Sequence, residues 1–406
     1  MTIGPSKTYG CCRTVPSGIW VLGFVSMLMD ISSEMIHALL PVYLVTVLRT
    51  PVLAVGFIEG IAEATASITK VFSGALSDWL GKRKLLVALG YGLSAITKPI
   101  FPLASSINWL IAARFIDRIG KGIRDAPRDA LLADISPAYL RGASFGLRQS
   151  LDSVGAFLGP LLAIALMRLT ASHFSAVFWI AVIPAFLSVG LILLAVHEPK
   201  RPEDHHPVSM PIRLGELGRL GATYWWIAAL GLLFALARFS EAFLVLRAQS
   251  IGLRVMLVPI VLVVMTIAYA ASAYPAGALS DRMNRITLLI FGLLLLVLAD
   301  AVLAFASDIV GVTVGAVLWG LHMGCTQGLL AALVADTAQA ELRGTAFGMF
   351  NLITGLGLLL ASVIAGALWD AIGPRGTFLG GAVFTLATLA WLLSARNRLW
   401  EASRKG

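Results

Sequence analysis

Apolar stretches of about 20 residues recur along the whole chain, separated by short segments rich in charge, Pro and Gly. A helix of this length crosses the hydrocarbon core of a bilayer and satisfies its own backbone hydrogen bonds. The pattern predicts an all-α membrane protein with about twelve transmembrane helices, named here spans 1 to 12. They lie near residues 18–48, 52–76, 86–104, 107–129, 143–168, 173–196, 222–250, 255–279, 287–306, 309–335, 345–370 and 374–396.

Composition and charge support this class and predict an orientation. The chain is 58% hydrophobic and 13% charged, whereas soluble domains are about 25% charged. Lys and Arg concentrate in alternate loops, including the loop between spans 2 and 3 and the segment between spans 6 and 7. Because positive loops stay in the cytoplasm, both termini are expected there. The net charge of +9 therefore follows from topology and does not indicate nucleic acid as a partner.

An internal repeat divides the chain into two halves. GALSDWLGKRKLL at 74–86 matches GALSDRMNRITLL at 277–289, and ADISPAYLRGASFG at 133–146 matches ADTAQAELRGTAFG at 335–348. Repeats of this size predict two pseudosymmetric bundles of six helices each. The expected units are a cytoplasmic tail (1–17), a first bundle (18–196), a cytoplasmic linker (197–221), a second bundle (222–396) and a second cytoplasmic tail (397–406).

Two bundles joined in this way resemble the major facilitator superfamily, and short motifs strengthen the resemblance. Residues 74–84 are similar to the signature Gly-x-x-x-Asp-x-x-Gly-Arg/Lys-Arg/Lys of its 2–3 loop, with Asp78 at the acidic position. Gly155, Gly159 and Pro160 resemble the Gly-x-x-x-Gly-Pro signature of span 5, which is associated with antiporters. These glycines lie one turn apart, so a neighbouring helix can approach closely.

A third motif is only partly matched. Arg114 resembles the arginine of the span-4 motif Arg-x-x-Gln-Gly, but Asp117 and Arg118 stand where Gln and Gly are usual. This departure prevents a simple transfer of the motif's role to the present chain.

The resemblance implies a secondary transporter of the bacterial inner membrane in which 18–196 rocks against 222–396 around a central site. Its partners would be the lipid bilayer, a small-molecule substrate and protons, with no cofactor and a functional monomer. Proton-driven export of a small organic compound is the first expectation, and proton-coupled uptake of an anionic or zwitterionic metabolite is the second. A non-transporting membrane sensor or scaffold is a third. No nucleophile–base pair, phosphate loop or metal-ligand spacing indicates an enzyme or a metal site.

Span 4 carries an unusual run of charge. Residues 114–129 contain eight ionisable side chains, and such groups at bilayer depth are expensive unless they are paired or face water. At an offset of 202 residues, Arg118 and Lys121 correspond to the uncharged Gly320 and Met323 of span 10. A requirement of the fold should act on both halves, so this asymmetry favours a role in function. A structural network inside the first bundle is the alternative.

The charges inside the predicted spans and near their ends suggest three groups of candidate residues, for substrate binding, proton coupling and gating. A carboxylate in an apolar cavity holds a proton more readily, which suits proton coupling. A charged cluster near the cytoplasmic end of span 4 could close that side of the protein. The substrate-binding candidates are Arg118, Lys121, Asp30, Glu34, Arg238 and Glu241; the proton-coupling candidates are Asp30, Glu34 and Glu241; the gate candidates are Asp78, Arg83, Arg124, Arg128 and Asp129.

Overall fold

The computed structural model describes residues 16–80, 82–104, 106–137, 141–197, 214–280, 285–326, 329–337 and 342–403, and these contain helices but no strand. The helices of the N-terminal half are Ser17–His37, Leu40–Thr46, Val52–Leu80, Arg83–Thr97, Ile100–Leu103, Ile107–Ile135, Arg141–Leu169 and Phe174–Ala195. Those of the C-terminal half are Ala222–Ala237, Ala242–Ser250, Ile260–Ser280, Arg285–Phe305, Ile309–Thr326, Leu329–Thr337, Arg343–Ile372 and Pro374–Ser403, with 3-10 turns at Leu214–Arg219 and Val255–Leu257.

The predicted all-α membrane fold is confirmed. Eleven segments of the described chain are long and apolar enough to cross a membrane. The remaining predicted span, Ile107–Ile135, has 29 residues and carries the charge run. Twelve crossings place the loops after spans 2, 4 and 6 on one face, called the linker side, and the loops after spans 1, 3 and 5 on the opposite face, called the far side.

The two halves use the same packing order. Span 1 packs against spans 5 and 6 as span 7 packs against spans 11 and 12. Spans 3 and 4 pair like spans 9 and 10, and spans 2 and 4 pair like spans 8 and 10. The repeat in the sequence therefore corresponds to two bundles with equivalent helix neighbours, as expected for pseudosymmetric halves.

Spans 1 and 7, which are equivalent in the two halves, are both interrupted. In span 1, Ser17–His37 is followed by Leu40–Thr46, and in span 7, Ala222–Ala237 is followed by Ala242–Ser250. Residues 238–240 between the two helices of span 7 have no helical assignment. Non-helical backbone at membrane depth is tolerated where protein or a water-filled cavity surrounds it. The interruptions therefore mark the place where a polar site is expected.

The two halves are joined on the far side. Span 2 packs against span 11 so closely that a Cβ built on Gly56 would lie 2.1 Å from the backbone oxygen of Ser362. At the start of span 2, Asp370 of span 11 accepts hydrogen bonds from the N–H groups of Val52 (3.0 Å) and Leu53 (2.8 Å). Such an N-cap ties the two halves together by backbone contacts.

The buried apolar residues show the same arrangement. One cluster crosses both halves and includes Leu44, Val55, Phe243, Val258 and Ala365. Toward the linker side each half has a separate cluster: Ile19, Leu22, Val87 and Leu131 belong to the N-terminal one, and Tyr224, Ile227, Leu289 and Leu342 belong to the C-terminal one. The core is thus continuous on the far side and divided on the linker side.

The predicted unit boundaries remain predictions. Residues 1–15 of the first tail, 198–213 of the linker and 404–406 of the second tail lie outside the described residues. Within the described part, the helix of span 12 continues to Ser403, beyond the predicted end at 396.

Candidate functional site

A polar cavity of about 370 Å³ lies between the two halves at the level of the interruptions in spans 1 and 7. Its wall combines charges of both signs from both halves. Five of the six predicted substrate-binding residues line it: Glu34, Arg118, Lys121, Arg238 and Glu241. The other lining residues are His37, Glu63, Arg114, Phe239, Ser240, Met323 and Leu358.

A second cavity of about 220 Å³ adjoins the first, because Glu34, Glu241 and Met323 line both. Asp30, the sixth predicted substrate residue, lines this second cavity together with Asp152 of span 5. The three predicted proton-coupling carboxylates therefore lie around one connected region, although they come from two different halves. Among the described residues, none of the three has a cation within 4.0 Å of its oxygens.

Buried ion pairs hold the N-terminal wall of the cavity. Arg114 donates from Nη2 to Glu59 Oε2 at 2.8 Å and to His37 Nδ1 at 2.8 Å. A guanidinium only donates, so Nδ1 of His37 is the acceptor in this contact. Glu59 is fully buried, and its pairing with Arg114 supplies the compensation that a charge inside a membrane protein requires.

Arg118 is held by a second buried network. Its Nη2 and Nε lie 2.9 and 3.2 Å from Asp117 Oδ2, while Lys98 Nζ lies 3.0 Å from Asp117 Oδ1. Lys98 also donates to the hydroxyl of Ser33 at 2.9 Å. The remaining nitrogen, Arg118 Nη1, lies 3.8 Å from Glu63 Oε1 on the cavity wall. Asp117 therefore orients Arg118 and leaves one edge of its guanidinium toward the cavity.

Lys121 and Arg238 differ from these paired cations. They come from opposite halves, both are half-buried, and both line the larger cavity. Within the described chain, neither nitrogen group has a carboxylate oxygen within 4.0 Å. Arg238 follows the helix Ala222–Ala237 and has the non-helical dihedrals φ −115° and ψ 83°. The two cations can therefore bind an anionic group that enters the cavity.

The predicted gate residues of span 4 pair inside the N-terminal half. Arg128 donates to Ser26 Oγ at 3.0 Å and lies 3.2 Å from Asp129 Oδ1, which also lies 3.0 Å from Arg148 Nη1. The side chain of Asp78 lies outside the described residues. In this conformation the described contacts stabilise one bundle, and a gate between the halves remains a prediction.

The other two predicted gate residues also bind neighbouring helices of the same half. Arg124 donates to Ser94 Oγ at 2.7 Å, and its guanidinium lies 4.5 Å from the ring centre of Tyr91. Arg83, at the linker-side start of span 3, lies 2.6 Å from Asp134 Oδ2 near the end of span 4. These contacts agree with the structural network that the sequence analysis kept as an alternative.

The span-5 motif packs against the carboxylates of span 1. A Cβ built on Gly155 would lie 2.9 Å from Asp30 Cβ, and one built on Gly159 would lie 2.5 Å from Glu34 Cβ. Larger residues would push the two helices apart. Pro160 lines the second cavity. The motif therefore sets the position of two candidate proton-coupling residues.

Four further ionisable residues near the cavity or inside a bundle are absent from the candidates predicted from the sequence: His37, Glu59, Lys98 and Asp300. Each lies within a predicted span, so the cost of an intramembrane charge was a signal that could have identified them. Glu59 and Lys98 are the direct partners of Arg114 and Asp117. Asp300 has no such partner among the described residues.

The family of the chain follows from a sequence profile. The profile of the Major Facilitator Superfamily matches residues 22–262 and again residues 227–405, which is one match for each half. The chain belongs to the Major Facilitator Superfamily. It is therefore an integral membrane protein of a transporter family and not an enzyme, as the sequence analysis predicted.

Relatives of the superfamily extend over nearly the whole chain. An uncharacterized MFS-type transporter of Methanocaldococcus jannaschii, MJ1317, is 34% identical over 389 residues and covers 94% of this chain and 95% of its own. The quinolone resistance protein NorA of Staphylococcus aureus is 24% identical over 354 residues, covering 87% and 90%. A solved POT family transporter in complex with 5-aminolevulinic acid has a TM-score of 0.78 at 13% identity, covering 95% and 97%. This likeness concerns the fold alone.

Proposed function

We propose that this protein exports a small organic compound with an anionic group in exchange for protons, by alternating access. The observation that carries the proposal is the cavity of about 370 Å³ lined by Lys121 and Arg238, which come from opposite halves and have no carboxylate partner among the described residues. Ligand pockets for small molecules have volumes of about 300 to 1,000 Å³. The site thus suits a compound of metabolite size.

The charges of the wall define the substrate class. Lys121, Arg238 and the cavity-facing edge of Arg118 bind a carboxylate or phosphate group. Glu34 and Glu241 lie on the same cavity and bind a cationic group of the same compound. A zwitterion or an anion therefore fits the wall better than an uncharged apolar compound, because each buried charge of the site then gains a partner.

Proton coupling uses the carboxylates that have no cation beside them. Asp30, Glu34 and Glu241 line the two adjoining cavities, and each can take up a proton when the substrate leaves. A proton and the cationic group of the substrate compete for Glu34 and Glu241. Because each carboxylate binds only one of these two partners at a time, substrate is exchanged for protons. The close contact of Gly155 and Gly159 with span 1 keeps Asp30 and Glu34 in this position.

Alternating access moves 18–196 against 222–396. Among the described residues, the buried apolar clusters join the halves on the far side and stay separate on the linker side, and from this we infer that the linker side is the open one. We further propose that the linker side faces the cytoplasm of a cell with a bacterial inner membrane. Both termini then lie in the cytoplasm, and the protein functions as a monomer. Opening of the far side breaks the contacts of Asp370 and closes the linker side around Asp78, Arg83 and the charged end of span 4.

Export is favoured over uptake by two similarities. The span-5 motif resembles that of antiporters, and NorA, a quinolone resistance protein, aligns over 87% of the chain. Proton-coupled uptake of an anionic or zwitterionic metabolite is the second candidate, because the cations of the cavity are equally suited to it. A membrane sensor without transport is the third.

Everted membrane vesicles with an imposed pH gradient distinguish the three. Export predicts that acid inside drives accumulation of a labelled zwitterionic or anionic compound, and that an uncoupler abolishes it. Accumulation only in right-side-out vesicles would favour uptake, and no flux with any compound of a broad screen would favour a sensor.

Variants of two cations that line the larger cavity, Arg118 and Arg238, test the site. Arg238→Gln and Arg118→Ala should lose substrate binding and keep the fold, measured by a thermal-shift titration. Arg254→Gln is the matched control, because Arg254 lies exposed in the far-side loop after span 7. Retained affinity in both cavity variants would contradict the assignment.

A further inference from the structure

Among the described residues of the C-terminal half, one carboxylate is buried without a partner. Asp300 of span 9 is 0% exposed. Neither of its oxygens has a hydrogen-bond donor among the described residues, and no cation of the described chain lies within 4.0 Å. An ionised carboxylate in such a place loses its hydration without compensation, at a cost of several kcal/mol. The side chain therefore needs a proton or a bound cation.

The internal repeat provides a direct comparison. At the offset of 202 residues, Asp300 and Trp319 correspond to Lys98 and Asp117. In the N-terminal half these positions form an ion pair at 3.0 Å. In the C-terminal half an acid stands at the position of the cation, and an indole stands at the position of the acid. The fold is therefore compatible with a compensated pair at this place, and the C-terminal half has only one ionisable group there.

Charged and titratable groups on the helices around span 9 have other contacts. Arg247 of span 7 donates to the backbone oxygens of Leu303 (2.8 Å) and Ala306. On span 12, Arg375 lies over the ring of Phe305. These contacts occupy both guanidinium groups at the far-side end of span 9, so neither compensates Asp300.

The remaining neighbours lie toward the linker side. His322 of span 10 bonds through Nδ1 to the oxygen of Gly292 at 2.7 Å, and Cys325 also lies beside Gly292. Gly292 is about two helical turns from Asp300. Arg238 and Glu241 of span 7 line the cavity, and Tyr269 of span 8 lines the adjoining one.

The ring of Phe239 neighbours both Asp300 and the cavity. A Cβ built on Gly381 would lie 2.7 Å from Phe239 Cε1 and 2.8 Å from Asp300 Oδ2, so the ring edge and the carboxyl group are neighbours. Phe239 also lines the cavity and packs against Trp319 in a tilted arrangement, with ring centres 5.2 Å apart. Its ring therefore lies at the boundary between the carboxyl group and the cavity.

Phe239 belongs to the interruption of span 7. It stands between Arg238 and Glu241, the two residues of this span proposed to bind substrate. A segment without helical hydrogen bonds changes its dihedrals more easily than a helix does, and broken helices are the moving parts of many transporters. Substrate that binds Arg238 or Glu241 therefore acts on the same segment that covers Asp300.

We infer that Asp300 is a proton-binding site of the C-terminal half, occupied in this conformation and opened to cavity water when Phe239 moves with the interruption of span 7. In the open state the O–H bond of the carboxyl group breaks, the proton passes to water, and the remaining carboxylate is hydrated. The site is additional to Asp30, Glu34 and Glu241. The role of Asp300 in transport rests on the proposed proton coupling, whereas the protonation of Asp300 in this conformation does not.

Infrared spectroscopy of the purified protein tests the protonation. The carbonyl band of a protonated carboxyl group should be present at neutral pH in the wild type and in the control Asp308→Asn, and its Asp300 component should be lost in Asp300→Asn. Asp308 is the matched control because it is exposed and lies in the next loop. Identical bands in wild type and Asp300→Asn would show an ionised Asp300 and overturn the inference.

Two further measurements extend the test, and the first of them does not need that variant. If Asp300→Asn does not fold, Phe239→Ala should weaken the same band at neutral pH, because water then reaches the carboxyl group; an unchanged band overturns the inference. Sodium ions added at constant ionic strength should leave the thermal stability of the wild type unchanged. Stabilisation by sodium that is lost in Asp300→Asn would show that Asp300 binds a metal cation, and this result would overturn the inference.

Flux measurements test the part in transport. In proteoliposomes, Asp300→Asn should lose pH-driven accumulation and retain substrate exchange at equal pH on both sides. If the wild type itself shows no pH-driven flux, the proposed function fails while the infrared result still decides the protonation of Asp300. Full pH-driven flux in Asp300→Asn, with the wild type coupled to protons, overturns the transport role.

Discussion

Removal of the amine of Lys98 is expected to destabilise the N-terminal half strongly. Lys98 and Asp117 have side chains that are only 1% and 2% exposed, and their Nζ and Oδ1 atoms lie 3.0 Å apart. Replacement of Lys98 by Met keeps the length of the side chain and removes its charge. It leaves Asp117 with Arg118 as its main partner and the hydroxyl of Ser33 without its donor.

The size of the effect follows from these contacts. Loss of one partner of a buried pair costs about 3 to 5 kcal/mol, because the other charge stays buried. Since Arg118 keeps two hydrogen bonds to Asp117, we expect a value near the lower end, about 3 kcal/mol. The double variant Lys98→Met with Asp117→Asn should cost less than the sum of the single variants, by about 1 to 3 kcal/mol.

The assay is the free energy of unfolding, measured in lipid by steric trapping for the two single variants and the double variant. Lys84→Met is the matched control, because its exposed Nζ makes one hydrogen bond, to the oxygen of Leu193 at 3.1 Å. It should change stability by no more than about 0.5 kcal/mol. Additive costs in the double variant, or a Lys98→Met variant as stable as the control, would refute the pairing argument.

Three further predictions concern the packing and the two ends of the cavity. Gly155→Val should lower stability by about 1 to 3 kcal/mol, because the added side chain would meet Asp30. Gly146→Ala is the neutral control, because Gly146 has open space around it. Equal stability of the two variants would contradict this packing. Asp370→Ala removes the cap of span 2, costs about 0.5 to 2 kcal/mol, and should increase labelling of single cysteines on the far side; unchanged labelling would show that the cap does not close that side. Asp78→Asn should reduce flux without preventing insertion, and full flux would exclude a latch role.

Hydropathy and the repeat were sufficient to predict the architecture. A bilayer admits only helices of a certain length, so twelve apolar stretches leave little choice of fold. The interruptions of spans 1 and 7 were not predicted, because apolar residues continue through both of them, for example Phe239 in span 7. Which backbone bonds open there depends on the cavity that surrounds the segment.

The candidate site was predicted in part. Each of the six proposed substrate residues lines one of two adjoining cavities, because intramembrane charges face protein or water and not lipid. Their partners were not predictable from spacing in one helix. Asp117 and Lys121 are four residues apart on span 4, a spacing that favours a pair on one helix face, but Asp117 pairs with Lys98 of span 3 and with Arg118. The contact with Lys98 depends on how spans 3 and 4 pack.

The sequence by itself determined the membrane class, the two halves, the family and the asymmetry of charge between spans 4 and 10, since each of these depends on residue types and their order. The tertiary structure decided which charges are paired and which are free. It placed Lys121 and Arg238 on one cavity without a carboxylate partner among the described residues, and it buried Asp300 beside Phe239. Free energies of buried charges depend on atoms within a few ångström, and only the packing of helices distant in sequence sets those distances.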